Sequence, residues 1–343
     1  MSHRIFIDGQ AGTTGLEIHT RLRGQPDLEL LEIDPQQRKD PAARAALLNA
    51  ADVVVLCLPD DAARDAVARI DDPAVRILDA SSAHRTAPGW VYGLPELAAS
   101  QREAIRSASR VANPGCYPTG FLLLLRPLVD AGAVPAEARL TIHALSGYSG
   151  GGRSLVDRYA AAAGDELLAP RSYGLSLDHK HRPEMRALAG LAHAPLFSPM
   201  VGPFERGMLV HVPLPADRRA PGSDARDLQR ILAEHYAGEP NVVVHPVGAR
   251  DELDGGFLDP RACNGTNRVD LMIFGAAASA AASADASADA GAGDDVLLVA
   301  RLDNLGKGAG GAAVQNLNLM LGRDEQTGLE APAQPTDDAR ACA

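Results

Sequence analysis

Cys116 is the residue of this sequence best placed to act as a nucleophile. It lies in the run 113–120 (NPGCYPTG), and the apolar residues 121–125 follow directly. A Pro-Gly turn before an apolar run predicts that Cys116 stands in the first turn of a helix, where free N–H groups and the positive dipole end stabilise a thiolate. We therefore expect its pKa to lie well below the usual value of roughly 8.5. A buried structural cysteine is the alternative, since free cysteines are often buried.

The segment 178–185 (DHKHRPEM), which opens a predicted helix, offers two histidines as partners for that cysteine. A histidine near a helix start can act as acid and base for a cysteine elsewhere in the chain, while Lys180 and Arg182 would supply charge for an anionic substrate. His179 and His181, at i and i+2, can also chelate a metal, but no third ligand of a suitable type is near, so we expect no metal. A solvated charged turn is the alternative.

Two other segments carry groups suited to an anionic ligand. Ser81 and Arg85 follow a predicted strand, and parallel sheets bind ligands at the carboxyl ends of their strands. The run 146–153 (SGYSGGGR), which includes Ser149 and Gly150 and closes on Arg153, can present backbone N–H groups to an anion. Ordinary solvated loops or connectors are the alternative for both.

The elements that must position these groups begin with a short apolar strand, residues 4–8, then three glycines spaced GxxGxxG and an amphipathic helix. In this context, glycines permit a tight turn, let the backbone approach a pyrophosphate and direct a helix N-terminus at it. A plain turn is the alternative, but strand, turn and helix together favour dinucleotide binding. We expect the dinucleotide to be bound by five residues of this turn, Gly9, Gly12, Thr13, Thr14 and Gly15.

The choice between NAD and NADP stays open on the residues alone. The second predicted strand, 28–33, ends at Asp34, at the distance where an acidic residue binds a ribose 2′-hydroxyl and favours NAD. Arg38 and Lys39 follow closely, and cations there can hold the 2′-phosphate of NADP.

Alternating strand and helix patterns continue to residue 79 and predict a doubly wound α/β domain with a parallel sheet covered on both faces. An α+β domain follows, in which residues 197–206, with three glycine or proline positions, predict a loop. The Ala/Ser/Asp-rich tract 275–295 has no bulky apolar residue and predicts a disordered insertion. The resulting organisation is an N-terminal domain (1–115), a second domain (116–303), a C-terminal helix (304–323) and a loose tail (324–343).

Composition limits the classes of partner. The 343 residues carry a formal net charge of -11, which disfavours nucleic acid, because phosphate-binding surfaces need clustered Lys and Arg. No apolar stretch approaches the roughly 18 residues that a membrane span needs, and the first residues run straight into a strand. The four cysteines form no Cys-x-x-Cys pair, so disulfides are not expected. We expect a soluble cytoplasmic protein.

Taken together, these motifs resemble the shorter type of N-acetyl-gamma-glutamyl-phosphate reductase, in the semialdehyde dehydrogenase superfamily. The resemblance covers nearly the whole chain, although the tract 275–295 departs from the family pattern. The motifs that carry it, in order, are the glycine turn 9–15, NPGCYPTG at 113–120, the loop 146–153, HKHRPE at 179–184, GPFERGM at 202–208 and the stretch 307–316.

The resemblance implies a Rossmann-type NADP-binding domain completed by the last helix, and an α+β catalytic and dimerisation domain like that of semialdehyde and glyceraldehyde-phosphate dehydrogenases. It also implies NADP(H) as cofactor and a homodimer or homotetramer. The family's nucleophile falls on Cys116, and its His-x-Pro-Glu histidine falls on His181. Asn316 would contact the nicotinamide. Arg85, the 146–153 loop and Arg206 are candidates for binding the substrate's phosphate and carboxylate.

The implied reaction is NADPH-dependent reduction of N-acetyl-L-glutamyl 5-phosphate, in which Cys116 forms a thioester as phosphate leaves. His181 would relay protons and hold the thiolate as an ion pair. Three alternatives remain: the same chemistry on an aspartyl or aminoadipyl phosphate, a cysteine acyltransferase or hydrolase without a redox step, and a non-catalytic dinucleotide-binding scaffold.

Overall fold

The structure, a computed structural model, describes residues 2–275 and 295–329. Its strands are β1 His3–Asp8, β2 Leu28–Leu31, β3 Val53–Leu56, β4 Arg76–Asp79, β5 Val91–Tyr92, β6 Arg110–Ala112, β7 Thr141–Gly147, β8 Arg171–Ser172, β9 Leu196–Gly202, β10 Met208–Leu214, β11 Val242–Val244, β12 Val269–Gly275 and β13 Val296–Leu302. Its helices are α1 Thr13–Leu22, α2 Pro41–Ala50, α3 Asp60–Ala68, α4 Gln101–Ser107, α5 Cys116–Asp130, α6 Arg153–Ala161, α7 Arg182–Ala189, α8 Ala225–His235 and α9 Gly311–Met320, the last preceded by a π-helical turn, Gly306–Gly310.

The first sheet is parallel throughout, in the order β2-β1-β3-β4-β6-β5. Side chains of a strand alternate between the two faces, so Ile5 and Ile7 pack with α1, α4 and α9, while Phe6 packs with α2 and α3 on the other face. Every residue of β3 is buried, as expected for a strand covered on both sides. The prediction of a doubly wound α/β domain is confirmed.

Helix α5 carries Cys116 as its first residue and lies at the centre of the molecule. All residues from 117 to 125 are buried, so the helix is apolar around its whole circumference and packs on strands β10 and β13 as well as on α7 and α8. Its 15 residues do not make it a membrane span, and no described helix is long and apolar enough to be one. The helix that carries Cys116 is therefore packed on the second sheet and its helices.

The second sheet has seven strands in the order β11-β12-β13-β10-β7-β9-β8 and mixes parallel and antiparallel pairs. Its inner face packs on α5, α7 and α8 in one large apolar core. The prediction of a loop at 197–206 is wrong for its first half: β9 runs parallel to β7, with Pro199 opposite Ala144. Proline is tolerated there because β9 is nearly an edge strand, flanked on its far side only by the two residues of β8.

The chain end returns to the first sheet. Val314 and Leu317 of α9 share an apolar core with Ile5, and Leu329 is buried in the same core. Glu325 forms an ion pair with Arg102 of α4 at 3.0 Å. The first residues of the predicted tail, 324–329, are therefore packed rather than loose, because they carry a buried apolar anchor. Residues 330–343 and most of the predicted insertion, 276–294, lie outside the described residues.

Candidate active site

A cavity of about 810 Å³ lies where the carboxyl end of the first sheet meets the second domain. Its lining joins the glycine turn before α1, the start of α5, the loop before α6 and the start of α7, so it draws on both domains. The predicted site residues that line it are Gly12, Thr13, Thr14, Gly15, Ser81, Arg85, Cys116, Ser149, Gly150, Arg153 and His181. The fold therefore brings together predicted site residues that are separated by up to about half of the chain.

Cys116 occupies the first turn of α5, as its sequence context predicts. Burial raises the pKa of the Cys116 thiol to about 11, and the negative charge of Glu184 acts in the same direction. The positive charge of Arg85 and the N–H groups at the start of α5 lower that pKa but are outweighed. The expectation of a depressed pKa is therefore wrong, because desolvation of the thiolate is the largest effect.

His181 lies just ahead of α7 and is 6% exposed. Burial, with Arg85 as the next cause, lowers the pKa of this imidazole well below its usual value. Within the described part of the chain, its Nδ1 atom has no hydrogen-bond partner. These shifts favour a neutral thiol beside a neutral imidazole over the expected ion pair, because burial penalises both charged forms. His181 is thus suited to take the thiol proton during the reaction rather than before it.

The glycine turn fits a dinucleotide pyrophosphate. Helix α1 begins at Thr13, its first turn has no acidic residue, and no side chain caps its N-terminal N–H groups. Such an N-terminus, opening on a cavity, is suited to a phosphate. Gly9 has a structural part in this turn and does not line the cavity: its φ is +91°, and a Cβ there would lie 2.3 Å from the carbonyl oxygen of Cys57.

Three other predicted residues also lie off the cavity lining. Arg206 is bound to Glu17 at 2.6 Å and to Asp303 at 3.6 Å, so its charge joins α1 to the second domain. Asn316 donates from Nδ2 to the Gly93 carbonyl at 2.8 Å and to Asn113 Oδ1 at 3.0 Å. Arg38 is exposed in the turn after β2, away from the lining. The partners of Arg206 and Asn316 are distant in sequence, so neighbouring residues could not predict these bonds.

Arg85 lines the cavity but is tightly held by acceptors of the protein. Its guanidinium donates to the Asn113 carbonyl at 3.0 Å, to Glu184 at 3.0 Å and to the Ala80 carbonyl at 3.3 Å. All three nitrogens of the guanidinium are bonded in this way, so the side chain has little freedom to move with a substrate. Arg85 therefore places a fixed positive charge next to Cys116.

Other cations and hydroxyls also line the cavity, and of these only Lys180 was expected from the sequence to meet an anionic substrate. Arg158 stands on α6, Arg171 on β8 and Lys180 just ahead of α7. The hydroxyl of Tyr173 donates to that of Tyr117 at 2.8 Å, and both side chains face the cavity. Arg171 and Tyr173 gave no sequence signal, because β8 is two residues long and its position is set by pairing with β9.

Outside the cavity, a group of three side chains could offer ligands to a metal ion. His245, Glu252 and Asp270 bring one ligand atom each to within 4.8 Å of the others. Two guanidinium groups already neutralise this cluster: Arg268 contacts Asp270 at 2.5 Å and Arg301 contacts it at 2.6 Å. Burial acts to raise the pKa of Asp270, but hydrogen bonds from His245, Arg268 and Arg301 outweigh it and lower that pKa. The cluster is accordingly a buried ion-pair network.

Comparison with known proteins gives consistent matches over the whole length. A family model described as semialdehyde dehydrogenase, NAD binding domain, matches residues 34–108, and one described as semialdehyde dehydrogenase, dimerisation domain, matches residues 116–289. Among curated proteins, N-acetyl-gamma-glutamyl-phosphate reductase 2 of a Nostoc species is 50% identical over 332 residues, covering 95% of this chain and 99% of the relative. The protein of the same name from Pseudomonas putida is 51% identical over 322 residues, covering 93% and 96%.

Solved structures support the fold. Aspartate semialdehyde dehydrogenase from Francisella tularensis matches with a TM-score of 0.68 at 13% identity, covering 94% of this chain and 100% of that one. Aspartate semialdehyde dehydrogenase II from Vibrio cholerae matches with a TM-score of 0.64 at 16% identity, covering 94% and 99%. At this level of identity the likeness concerns the fold alone.

Proposed function

The chain belongs to the N-acetyl-gamma-glutamyl-phosphate reductases of the semialdehyde dehydrogenase family, and we propose that it reduces N-acetyl-L-glutamyl 5-phosphate to N-acetyl-L-glutamate 5-semialdehyde and phosphate. This reaction is a step of L-arginine biosynthesis. In the proposed mechanism Cys116 is the nucleophile and His181 is its base. The observation that carries the proposal is the convergence of the cysteine at the start of α5 and the histidine at the start of α7 on one cavity lined by the glycine turn.

The reaction begins with Cys116. As the acyl phosphate binds, His181 takes the thiol proton, and the sulfur attacks the acyl carbon so that phosphate leaves with the bonding electrons. The product is a thioester on Cys116. The N–H groups at the start of α5 and the charge of Arg85 favour the thiolate while it forms, which offsets part of the desolvation that otherwise raises its pKa.

NADPH, when bound, supplies the hydride that reduces this thioester. The N–H groups of Thr13, Thr14 and Gly15 at the start of α1 would hold the pyrophosphate of such a cofactor. His181 then returns its proton to the sulfur as the bond to the aldehyde product breaks, so the pair finishes neutral as it began.

The experiment that tests the proposal runs the reaction backwards. Purified protein given N-acetyl-L-glutamate 5-semialdehyde and NADP should produce NADPH only when inorganic phosphate is present, because phosphate must release the thioester. L-aspartate semialdehyde and the aminoadipate analogue serve as matched alternative substrates. A preference for either by kcat/KM would replace the proposed substrate while keeping the chemistry, and phosphate-independent reduction would contradict the acyl-phosphate mechanism.

We infer that Arg38 binds the 2′-phosphate of NADP, in the turn that follows β2. A single exposed ion pair with a phosphate is worth about 1 kcal/mol or somewhat more, so Arg38→Ala is expected to weaken NADPH binding about tenfold. NADH lacks that phosphate and is the internal control: its affinity for Arg38→Ala should equal its affinity for the wild type. Fluorescence titration of both cofactors measures this, and an equal loss for NADH would assign Arg38 another role.

We also propose a homodimer or homotetramer located in the cytoplasm. The assembly is supported by the dimerisation domain that matches residues 116–289 and by large apolar side chains exposed on the second domain, among them Phe257 at 79% and Leu196 at 48%. The location is supported by the relatives, which are reductases that act on a small metabolite.

A further inference from the structure

The carboxylate of Glu184 has no part in the steps above, yet it lies where the groups that perform them meet. Its side chain is 2% exposed and belongs to the first turn of α7. One oxygen, Oε1, accepts hydrogen bonds from the Tyr92 hydroxyl at 2.6 Å and from the Gly115 N–H at 2.9 Å. The other, Oε2, accepts from Nη1 of Arg85 at 3.0 Å. This carboxylate is therefore fully engaged.

The three donors come from three separate parts of the first sheet. Tyr92 ends β5, Arg85 follows β4, and Gly115 stands between β6 and α5. Glu184 itself belongs to α7, which packs in the core of the second sheet. A buried carboxylate is costly unless it is paired and hydrogen-bonded, so this arrangement strongly favours one relative placement of α7 and the segment that carries the nucleophile.

Gly115 is the point at which the reacting groups approach one another. A Cβ atom on this residue would lie 2.6 Å from Nη1 of Arg85 and 2.8 Å from Nε2 of His181, so only glycine admits both side chains to the backbone next to Cys116. The N–H of the same residue is the one that Glu184 binds. His181 precedes Glu184 by three residues, about one helical turn, so anchoring Glu184 also fixes where the imidazole stands.

We propose that Glu184 is a positioning residue for this reaction: through Gly115, Arg85 and Tyr92 it fixes the start of α7 against the start of α5 and so holds the imidazole of His181 toward Cys116. The inference rests on the proposed function, since it takes Cys116 and His181 as the reacting pair. Glu184 acts through His181 and does not touch the reacting atoms.

The test is the Glu184→Gln variant. Glutamine has nearly the same size but replaces one acceptor oxygen by an NH₂ donor, which must then face either Arg85 or the Tyr92 and Gly115 donors. We expect kcat for phosphate-dependent NADP reduction to fall about 10²-fold, the lower end of what general acid–base help contributes, while KM for the aldehyde changes less than about threefold.

A double variant separates positioning from a merely structural role. If Glu184 acts by placing the imidazole, adding Glu184→Gln to His181→Asn should cost no more than about threefold beyond His181→Asn alone, because residues acting as a unit are non-additive. A general loss of structure would instead multiply the two losses. Asp130→Asn, which removes an exposed ion pair with Arg126 at the far end of α5, is the matched control and should leave kcat unchanged.

Tyr92→Phe provides a second, milder variant, because it removes one donor to Glu184 and leaves the other two. We expect it to lower kcat about fivefold, again without a further loss on the His181→Asn background. If Glu184→Gln fails to fold, this variant decides the matter by the same comparison. An active wild type with an equally active Glu184→Gln would overturn the positioning role alone, whereas an inactive wild type would overturn the proposed function and this role with it.

Discussion

The Cys116→Ser variant is expected to lose phosphate-dependent NADP reduction by at least about 10⁴-fold, the scale seen when an enzyme's nucleophile is removed. A serine hydroxyl is far less acidic than a thiol, and the burial that already raises the pKa of Cys116 to about 11 would act on an alkoxide as well. A factor of 10⁴ corresponds to about 5.5 kcal/mol of lost transition-state stabilisation.

Cofactor binding should survive this substitution. The residues suited to hold the pyrophosphate lie at the start of α1, on another part of the cavity wall, so the affinity for NADPH should change less than about twofold. Cys263→Ser is the matched control: this cysteine is buried outside the cavity, its thiol donates to Asp270 at 3.2 Å, and a serine hydroxyl keeps that bond. Measurable turnover by Cys116→Ser above about 1% of wild type would contradict a thioester on Cys116.

The His181→Asn variant is expected to lower kcat by about 10² to 10⁴-fold, since it removes the base that takes the thiol proton. Asparagine preserves a polar group of similar size in this buried position but cannot accept and return a proton. KM should change little, because the variant keeps every cation that lines the cavity, Arg85 and Lys180 among them. Loss of less than about threefold in kcat would remove His181 from the mechanism.

The pH dependence of the two proteins should differ in a defined way. Burial lowers the pKa of the wild-type imidazole well below 6.5, so this group is already neutral and able to act as a base at neutral pH. We therefore expect kcat/KM to fall only at acidic pH, where the imidazole becomes protonated. Between pH 7 and pH 9 we expect a nearly flat profile.

In His181→Asn the thiolate must instead form without help, and it becomes more populated as pH rises toward the raised pKa of Cys116, about 11. The rate of this variant should therefore increase about tenfold per pH unit over the same interval. A parallel pair of profiles would show that His181 does not take the thiol proton.

The same two residues show how much of the site the sequence could foretell. The turn and apolar run around Cys116 were enough to place it at a helix start, because the signals for a helix N-terminus are local. The continuous apolar run of β1 and the strand–helix rhythm up to β4 likewise predicted the parallel sheet, since both patterns are local in the sequence. The loop predicted at β9 was wrong because a proline that breaks most strands is acceptable next to a sheet edge.

The sequence by itself predicted the helix start that carries Cys116, the glycine turn, the doubly wound domain and, through the order of its motifs, the family. Only the tertiary structure decided the protonation state that burial imposes on Cys116 and His181, the engagement of Arg206 by Glu17, and the three bonds that Glu184 makes across the domain boundary. The physical reason is the range of the interactions. Caps, turns and periodicity act within a few residues, whereas desolvation and buried hydrogen bonds depend on neighbours that the fold brings in from as far as about 190 positions away.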